Sequence, residues 1–168
     1  MSSKLIDIVG RFRSAYTTGN ARSLVITCVY YDDGNVVASD GKCLALAEYH
    51  GNLNGCVGIY NNQLPDYKYP KWRRITDVVD KSGSLPVHMS FSDFYDLRHK
   101  AFTYDNFEVI DVLGEYISKE YMETIIEAFE DAIDDPYEAT ISIAQNERIT
   151  RFSDDTTSLR IYIMPIRK

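Results

Sequence analysis

The sequence predicts an α+β fold in which amphipathic helices pack on antiparallel sheet, and three observations carry that prediction. Apolar residues recur at helical spacing over residues 3–16 and again over 118–133. The segments between and after them are rich in β-branched and aromatic residues, broken by Asp, Asn and Gly turns. Runs of strands between separated helices, without regular strand–helix alternation, favour antiparallel pairing with the helices on one face. At 168 residues and 45% hydrophobic composition the chain has material for one buried core without a disulfide or metal staple.

In the first helix Leu5, Ile8, Val9, Phe12 and Tyr16 share a face, Ser2 or Ser3 is available as N-cap, and Thr17-Thr18-Gly19-Asn20 ends the run. Residues 23–31 read as a strand, Asp32-Asp33-Gly34-Asn35 as a hairpin turn, and Val36-Val37-Ala38-Ser39 as the returning strand. Asp40-Gly41 marks a second turn before a strand over 43–49, with a short strand over 56–60. Pro65, Pro70 and Gly83 mark residues 61–85 as the longest irregular connection. Residues 87–91 read as extended, 92–102 as a short helix capped by Ser92, and 108–117 as a strand. In the second long helix Ser118 is the N-cap, and Met122, Ile125, Ile126, Phe129 and Ile133 form the apolar face. Glu120, Glu123, Glu127, Glu130 and Asp131 make the other face acidic, and Asp134-Asp135-Pro136 stops the helix. Three strands follow, over 138–144, 148–152 and 158–163, separated by Gln145-Asn146 and Asp154-Asp155 turns. The expected organisation is a single domain, 1–168, built from two half-units, 1–62 and 86–168, joined by a proline-containing connection over 63–85.

With 25 Asp and Glu against 18 Lys and Arg, the net charge of −7 excludes a uniformly basic nucleic-acid binder. It leaves open a local basic face or a protein that imitates the charge of nucleic acid. No run approaches the roughly 18 apolar residues of a membrane helix, so no membrane partner is expected. The start, Met1-Ser2-Ser3-Lys4-Leu5-Ile6-Asp7, places an acid where a secretory signal runs apolar. Cys28, Cys43 and Cys56 are odd in number and lack C-x-x-C spacing. A reducing cytoplasm is the expected location.

Catalytic constellations are missing. His50, His88 and His99 sit in no motif and read as ordinary surface or strand histidines. The pairs Asp32-Asp33, Asp134-Asp135 and Asp154-Asp155 lie beside turns or a helix end, where Asp serves backbone hydrogen bonding. Residues 51–58 fit no phosphate-binding glycine pattern. The expectation is a non-enzyme with no metal and no cofactor. Two basic clusters remain: Lys4, Arg11 and Arg13 on the polar side of the first helix, and Lys71, Arg73 and Arg74 around Trp72. These six are the candidate contacts to double-stranded DNA, with Trp72 either stacking on a base or filling the core.

Three stretches carry a resemblance. Val37-Ala38-Ser39-Asp40-Gly41-Lys42-Cys43-Leu44-Ala45 looks like the A-T-D-G-H-R-L-A segment of bacterial DNA sliding clamps, the β subunit of the replicative polymerase. Tyr69-Pro70-Lys71-Trp72-Arg73-Arg74-Ile75 resembles the F-P-D-Y-R-R-V segment joining clamp domains. Tyr162-Ile163-Met164-Pro165-Ile166-Arg167-Lys168 resembles the clamp ending V-V-M-P-M-R-L. The three occur in the clamp order.

The resemblance implies a clamp-like fold and a ring that tethers a polymerase to DNA as a processivity factor, without chemistry of its own. It implies a homo-oligomer, double-stranded DNA as a partner, and a pocket for peptides of polymerases or clamp loaders. Carried over by position, that pocket uses Gly41, Lys42, Cys43 and Leu44 with Tyr162, Met164, Pro165, Ile166 and Arg167. Clamp chains carry three domains, whereas this one has room for one or little more; Cys43 stands where the motif has arginine, and the second long helix is acidic. A compact relative of this kind suits a phage or mobile element. Its acidity equally suits a phage protein that mimics DNA and inhibits a host sliding clamp. A structural or adaptor protein without DNA contact is the third reading.

Overall fold

Residues 3–14, 26–58, 60–65 and 67–168 are described by the computed structural model of the protein. In chain order the helices are α1 (Ser3–Gly10), α2 (Arg73–Asp80), α3 (Phe91–Asp96) and α4 (Lys119–Ala132). The strands are β1 (Val29–Asp32), β2 (Asn35–Ser39), β3 (Cys43–Glu48), β4 (Gly55–Val57), β5 (Val87–Ser90), β6 (Phe102–Tyr104), β7 (Phe107–Val112), β8 (Glu115–Ser118), β9 (Thr140–Asn146), β10 (Ile149–Asp154) and β11 (Arg160–Ile163).

Eight strands form one sheet in the order β4-β1-β2-β3-β11-β10-β9-β5, and every neighbouring pair is antiparallel. Its first four strands come from before residue 58 and its last four from after residue 86. They meet at one seam, where Tyr162 lies opposite Leu44 and Ile163 opposite Cys43. Side chains alternate across a strand, so the seam feeds two cores. Cys43, Ala45, Ile161 and Ile163 join Ile8, Val9, Ile125 and Phe129 beneath α1, α3 and α4. Leu44, Leu46 and Tyr162 point the other way and join Trp72 and Val79 of the α2 region. A second sheet, β6-β7-β8, sends Ile110, Val112 and Ile117 into the larger core and packs under α4.

The α+β architecture and antiparallel pairing agree with the sequence expectation, while several boundaries differ. Helices cover both faces of the large sheet, because α2 closes the face opposite α1. This helix lies inside the expected irregular connection. Its Trp72, Thr76 and Val79 are buried one helical turn apart, a pattern too short to stand out between Pro70 and Gly83. The helical conformation of α1 ends at Gly10, and Tyr16 lies outside the described residues. Residues 23–25 of the first expected strand lie outside the described residues; of the rest, Ile26 is in a turn whose carbonyl accepts from the Ser14 amide at 2.9 Å, and β1 begins at Val29. The fourth strand is Gly55–Val57, not 56–60.

The helix expected over 92–102 is α3 followed by a 3-10 turn, Leu97–His99, with Phe102 already in β6. Its cap is Ser90, whose hydroxyl accepts from the Asp93 amide, and not Ser92. The strand expected over 108–117 is a hairpin: Leu113 and Gly114 both have positive φ, 51° and 91°, and fold β7 onto β8. The turn expected at Gln145-Asn146 sits two residues later, between Asn146 and Ile149. Ser118 precedes α4 as expected but makes no side-chain capping bond, while Met122, Ile125, Ile126, Phe129 and Ile133 are all buried as the periodicity requires. Cys28, Cys43 and Cys56 are buried and in no disulfide.

Candidate peptide-binding site

The site is built on the β2–β3 turn. Gly41 has φ +95°, a conformation that disfavours a Cβ. One oxygen of the Asp40 carboxylate accepts from the amides of Lys42 and Cys43, both at 2.9 Å. The other accepts the Tyr121 hydroxyl of α4 at 2.5 Å, so a single side chain ties the turn to the helix layer. Burial and that bond to Asp40 raise the Tyr121 pKa. The Lys42 carbonyl then accepts the Met164 amide at 3.1 Å, which continues the β3–β11 seam just past its last strand residue.

These contacts place Gly41, Lys42, Cys43, Leu44, Tyr162 and Met164 around one shallow cleft of about 30 Å³. Leu44 and Tyr162 are its buried walls, at 2% and 0% exposure, whereas Met164 is 48% exposed. The Tyr162 hydroxyl donates to Asp80 at 2.8 and 2.9 Å and is not available to a ligand. Cys43 belongs to the opposite core, where burial raises its thiol pKa well above the usual value. Pro165, Ile166 and Arg167 lie on the far side of Met164, in an adjoining groove of about 420 Å³ that also includes Glu115, Glu147 and Arg148. There the Ile166 amide donates to the Tyr116 carbonyl of β8 at 2.7 Å, and the Lys168 ammonium lies 4.4 Å over the Tyr116 ring.

Sequence reasoning missed several lining residues, among them Ser39 and Ile163 at the cleft and Glu115, Glu147 and Lys168 at the groove. Ile75 of α2 and Ile149 of β10 border the cleft, and Arg148 borders the groove. Ile75 closes the Tyr69–Ile75 stretch singled out above, but only the unforeseen α2 brings it to the cleft.

The six candidate DNA contacts do not share a surface. Lys4 and Arg11 stand on the α1 side of the sheet, where they pair with Asp134 at 3.3 Å and Asp131 at 2.6 Å. Arg13 follows them in the turn after α1. Lys71, Arg73 and Arg74 stand at the N-terminal end of α2 on the opposite side of the sheet, beside a cavity of about 340 Å³. Trp72 is only 5% exposed, so it fills the core and presents no stacking face. Its indole N–H donates to Asp32 at 3.1 Å, and the Arg73 guanidinium lies 4.2 Å over its ring while 3.4 Å from Asp33.

Elsewhere the histidines are dispersed: His88 meets the Ser142 hydroxyl at 2.8 Å, His50 lies 3.6 Å from Glu48, and His99 accepts from Arg98. Asp154 accepts from the amides of Thr156 and Thr157, the turn role expected of it. Among the described residues no group of three or more His, Cys, Asp or Glu is placed to hold a metal, and no helix is long and apolar enough to cross a membrane.

No protein-family model and no curated protein sequence matches the chain. Solved structures do. The DNA polymerase III β subunit of Borrelia burgdorferi superposes with a TM-score of 0.67 at 12% identity, covering 98% of this chain and 60% of that one. The Caulobacter crescentus β subunit gives 0.66 at 14%, with coverages of 98% and 63%. The Helicobacter pylori β clamp, solved with a DNA ligase peptide, gives 0.63 at 11%, again with 98% and 63%. The chain therefore has the fold of bacterial sliding clamps, over about three fifths of the length of the clamp chains it matches.

Proposed function

We propose that this protein is a non-enzymatic, clamp-like replication accessory protein whose working site is the cleft between the Gly41–Leu44 turn and Met164. Its ligand is a short peptide from a polymerase or clamp loader with Leu or Phe anchors. The observation that carries this reading is the β3–β11 seam. It joins the two segments that resemble the clamp pocket, although they stand more than a hundred residues apart in sequence. A clamp of the same fold has been solved with a ligase peptide, which supports a peptide as the ligand class. The cleft at about 30 Å³ holds little more than one water. An anchor side chain therefore enters by displacing Met164, which is half-exposed and outside the strand.

The test is fluorescence anisotropy with a labelled peptide carrying Leu and Phe anchors, with affinity expected in the micromolar range, about −8 kcal/mol. Deleting residues 164–168 removes one wall and should abolish binding; binding that survives the deletion places the site elsewhere.

The half-units 1–62 and 86–168 supply four strands each to the large sheet and are proposed as the two building blocks, with the intervening connection contributing α2. Encirclement of a duplex by a chain of this length requires several copies. Sedimentation showing only monomer at tens of micromolar would remove a ring from consideration.

One observation favours the charge-mimic reading over DNA encirclement. On the α1–α4 surface Lys4 and Arg11 are engaged by Asp134 and Asp131, and Lys119 by Glu108 and Glu123, while Glu120, Glu127 and Glu130 remain exposed. That surface repels phosphate. Competition with duplex DNA for a purified sliding clamp tests this reading, and direct, salt-sensitive duplex binding by the protein itself rejects it.

A further inference from the structure

We propose that the groove beyond Met164 is a subsite that reads one acidic side chain of the bound peptide, with Arg148 as its specificity-determining residue and Arg167 beside it. The inference rests on the cleft being a peptide receptor, and it adds which peptides that receptor prefers.

The groove and the cleft share Met164, so a peptide whose anchor displaces that side chain runs directly from one into the other. The β9–β10 hairpin serves both: Ile149, the first residue of β10, borders the cleft and the neighbouring Arg148 of the turn borders the groove. At about 420 Å³ the groove accommodates side chains that the cleft does not.

Its charges set the ligand chemistry. Lys168 is already engaged with the Tyr116 ring and the Gly114 carbonyl. Arg148 and Arg167 form no ion pair among the described residues, in contrast to Lys4 and Arg11 on α1. Both are exposed on segments outside regular strands, where a guanidinium is free to offer its planar donor set to a carboxylate. Glu115 and Glu147 share the groove without approaching either guanidinium within ion-pair distance. They decide against a polyanion: a nucleic-acid strand brings repeated phosphates past both carboxylates, whereas a peptide delivers one negative charge at one place.

The experiment uses the full chain and three labelled peptides with the same Leu and Phe anchors, differing only in a flanking Glu, Gln or Lys. At low salt the Glu peptide should bind about five-fold more tightly than the Gln peptide, the size of a rim charge pair, and the Lys peptide most weakly. Raising the salt severalfold should close the gap. Arg148→Gln should weaken the Glu peptide more than the Gln peptide, Arg148→Lys should keep part of the preference, and Arg148→Gln with Arg167→Gln should erase it. Thermal melts confirm that these exposed substitutions leave the fold intact. A Glu preference that persists in the double variant, or no preference in the parent, overturns the subsite while leaving the receptor standing. If none of the three peptides binds, the receptor reading itself falls and takes the subsite with it.

Discussion

Asp80, at the end of α2, shows how one residue makes the cleft wall possible. Its carboxylate accepts the Tyr162 hydroxyl and an Arg151 N–H at 2.9 Å, with Arg160 3.8 Å away. Tyr162 is fully buried, and burial with the Asp80 hydrogen bond pushes its pKa upward. Asp80→Ala leaves the Tyr162 phenol, and the Arg151 guanidinium beside it, without their acceptor at the solvent-facing edge of the smaller core. It should cost about 2 kcal/mol in chemical denaturation, most of it from the buried phenol because the ion pair is screened by solvent, or roughly 4–8 °C in thermal midpoint. Tyr162→Phe keeps the Asp80–Arg151 pair and should cost about 1 kcal/mol. Equal, small losses in the two variants would show that the cluster is solvated and does not support the wall. The sequence showed Tyr162 as an apolar position in a terminal strand. Its anchor was not legible, because Asp80 lies 82 residues away on a helix that the proline-bearing composition concealed.

At the scale of elements, α4 was legible to its boundaries because fourteen helical residues repeat one apolar face without interruption. The two-residue turn Asp33-Gly34 was equally clear, since both residues tolerate the positive φ of 45° and 79° that such a turn demands. Leu113-Gly114 makes a turn of the same kind with a residue that resists it, which is why β7 and β8 read as one strand. Leu113 is 45% exposed at φ 51°, so its side chain gives little burial in return for that conformation. Leu113→Asn should therefore stabilise the hairpin by about 0.5–1 kcal/mol, measured by urea denaturation; a destabilised variant would mean that Leu113 packs usefully. The segment 164–168 is held by the Met164 and Ile166 amides and by Lys168 on Tyr116. Its deletion should lower the thermal midpoint by only a few degrees, consistent with about 1 kcal/mol. Collapse of the fold would make the segment part of the core, and the binding loss proposed above would then say nothing about a pocket.

For the whole molecule, local periodicity and turn chemistry disclosed the antiparallel α+β class, but the pairing of β3 with β11 is a relation between distant segments that no window contains. Only the resemblance placed those segments together. The same burial that makes this sheet two-sided also sets how the molecule responds to alkali. Cys56 is pushed up to about 11 by desolvation, and burial raises the Cys43 thiol and the phenols of Tyr69, Tyr121 and Tyr162 as well. Each of these groups holds its proton more tightly folded than unfolded. The stability it contributes is complete below its unfolded pKa, about 8.5 for a thiol and about 10 for a phenol. Above those values the unfolded chain releases protons that the native state retains, so stability falls as pH rises. Urea midpoints should therefore be flat with respect to these groups up to about pH 8 and decline from about pH 9, with the Cys56 share exhausted near pH 11. Cys56→Ala should make the decline shallower between about pH 9 and 11 while lowering stability at neutral pH through the lost packing of a buried side chain. A wild-type midpoint that stays level through pH 11 would show that these thiols and phenols ionise in the native sheet without opening it, and that the two cores are wetter than their burial implies.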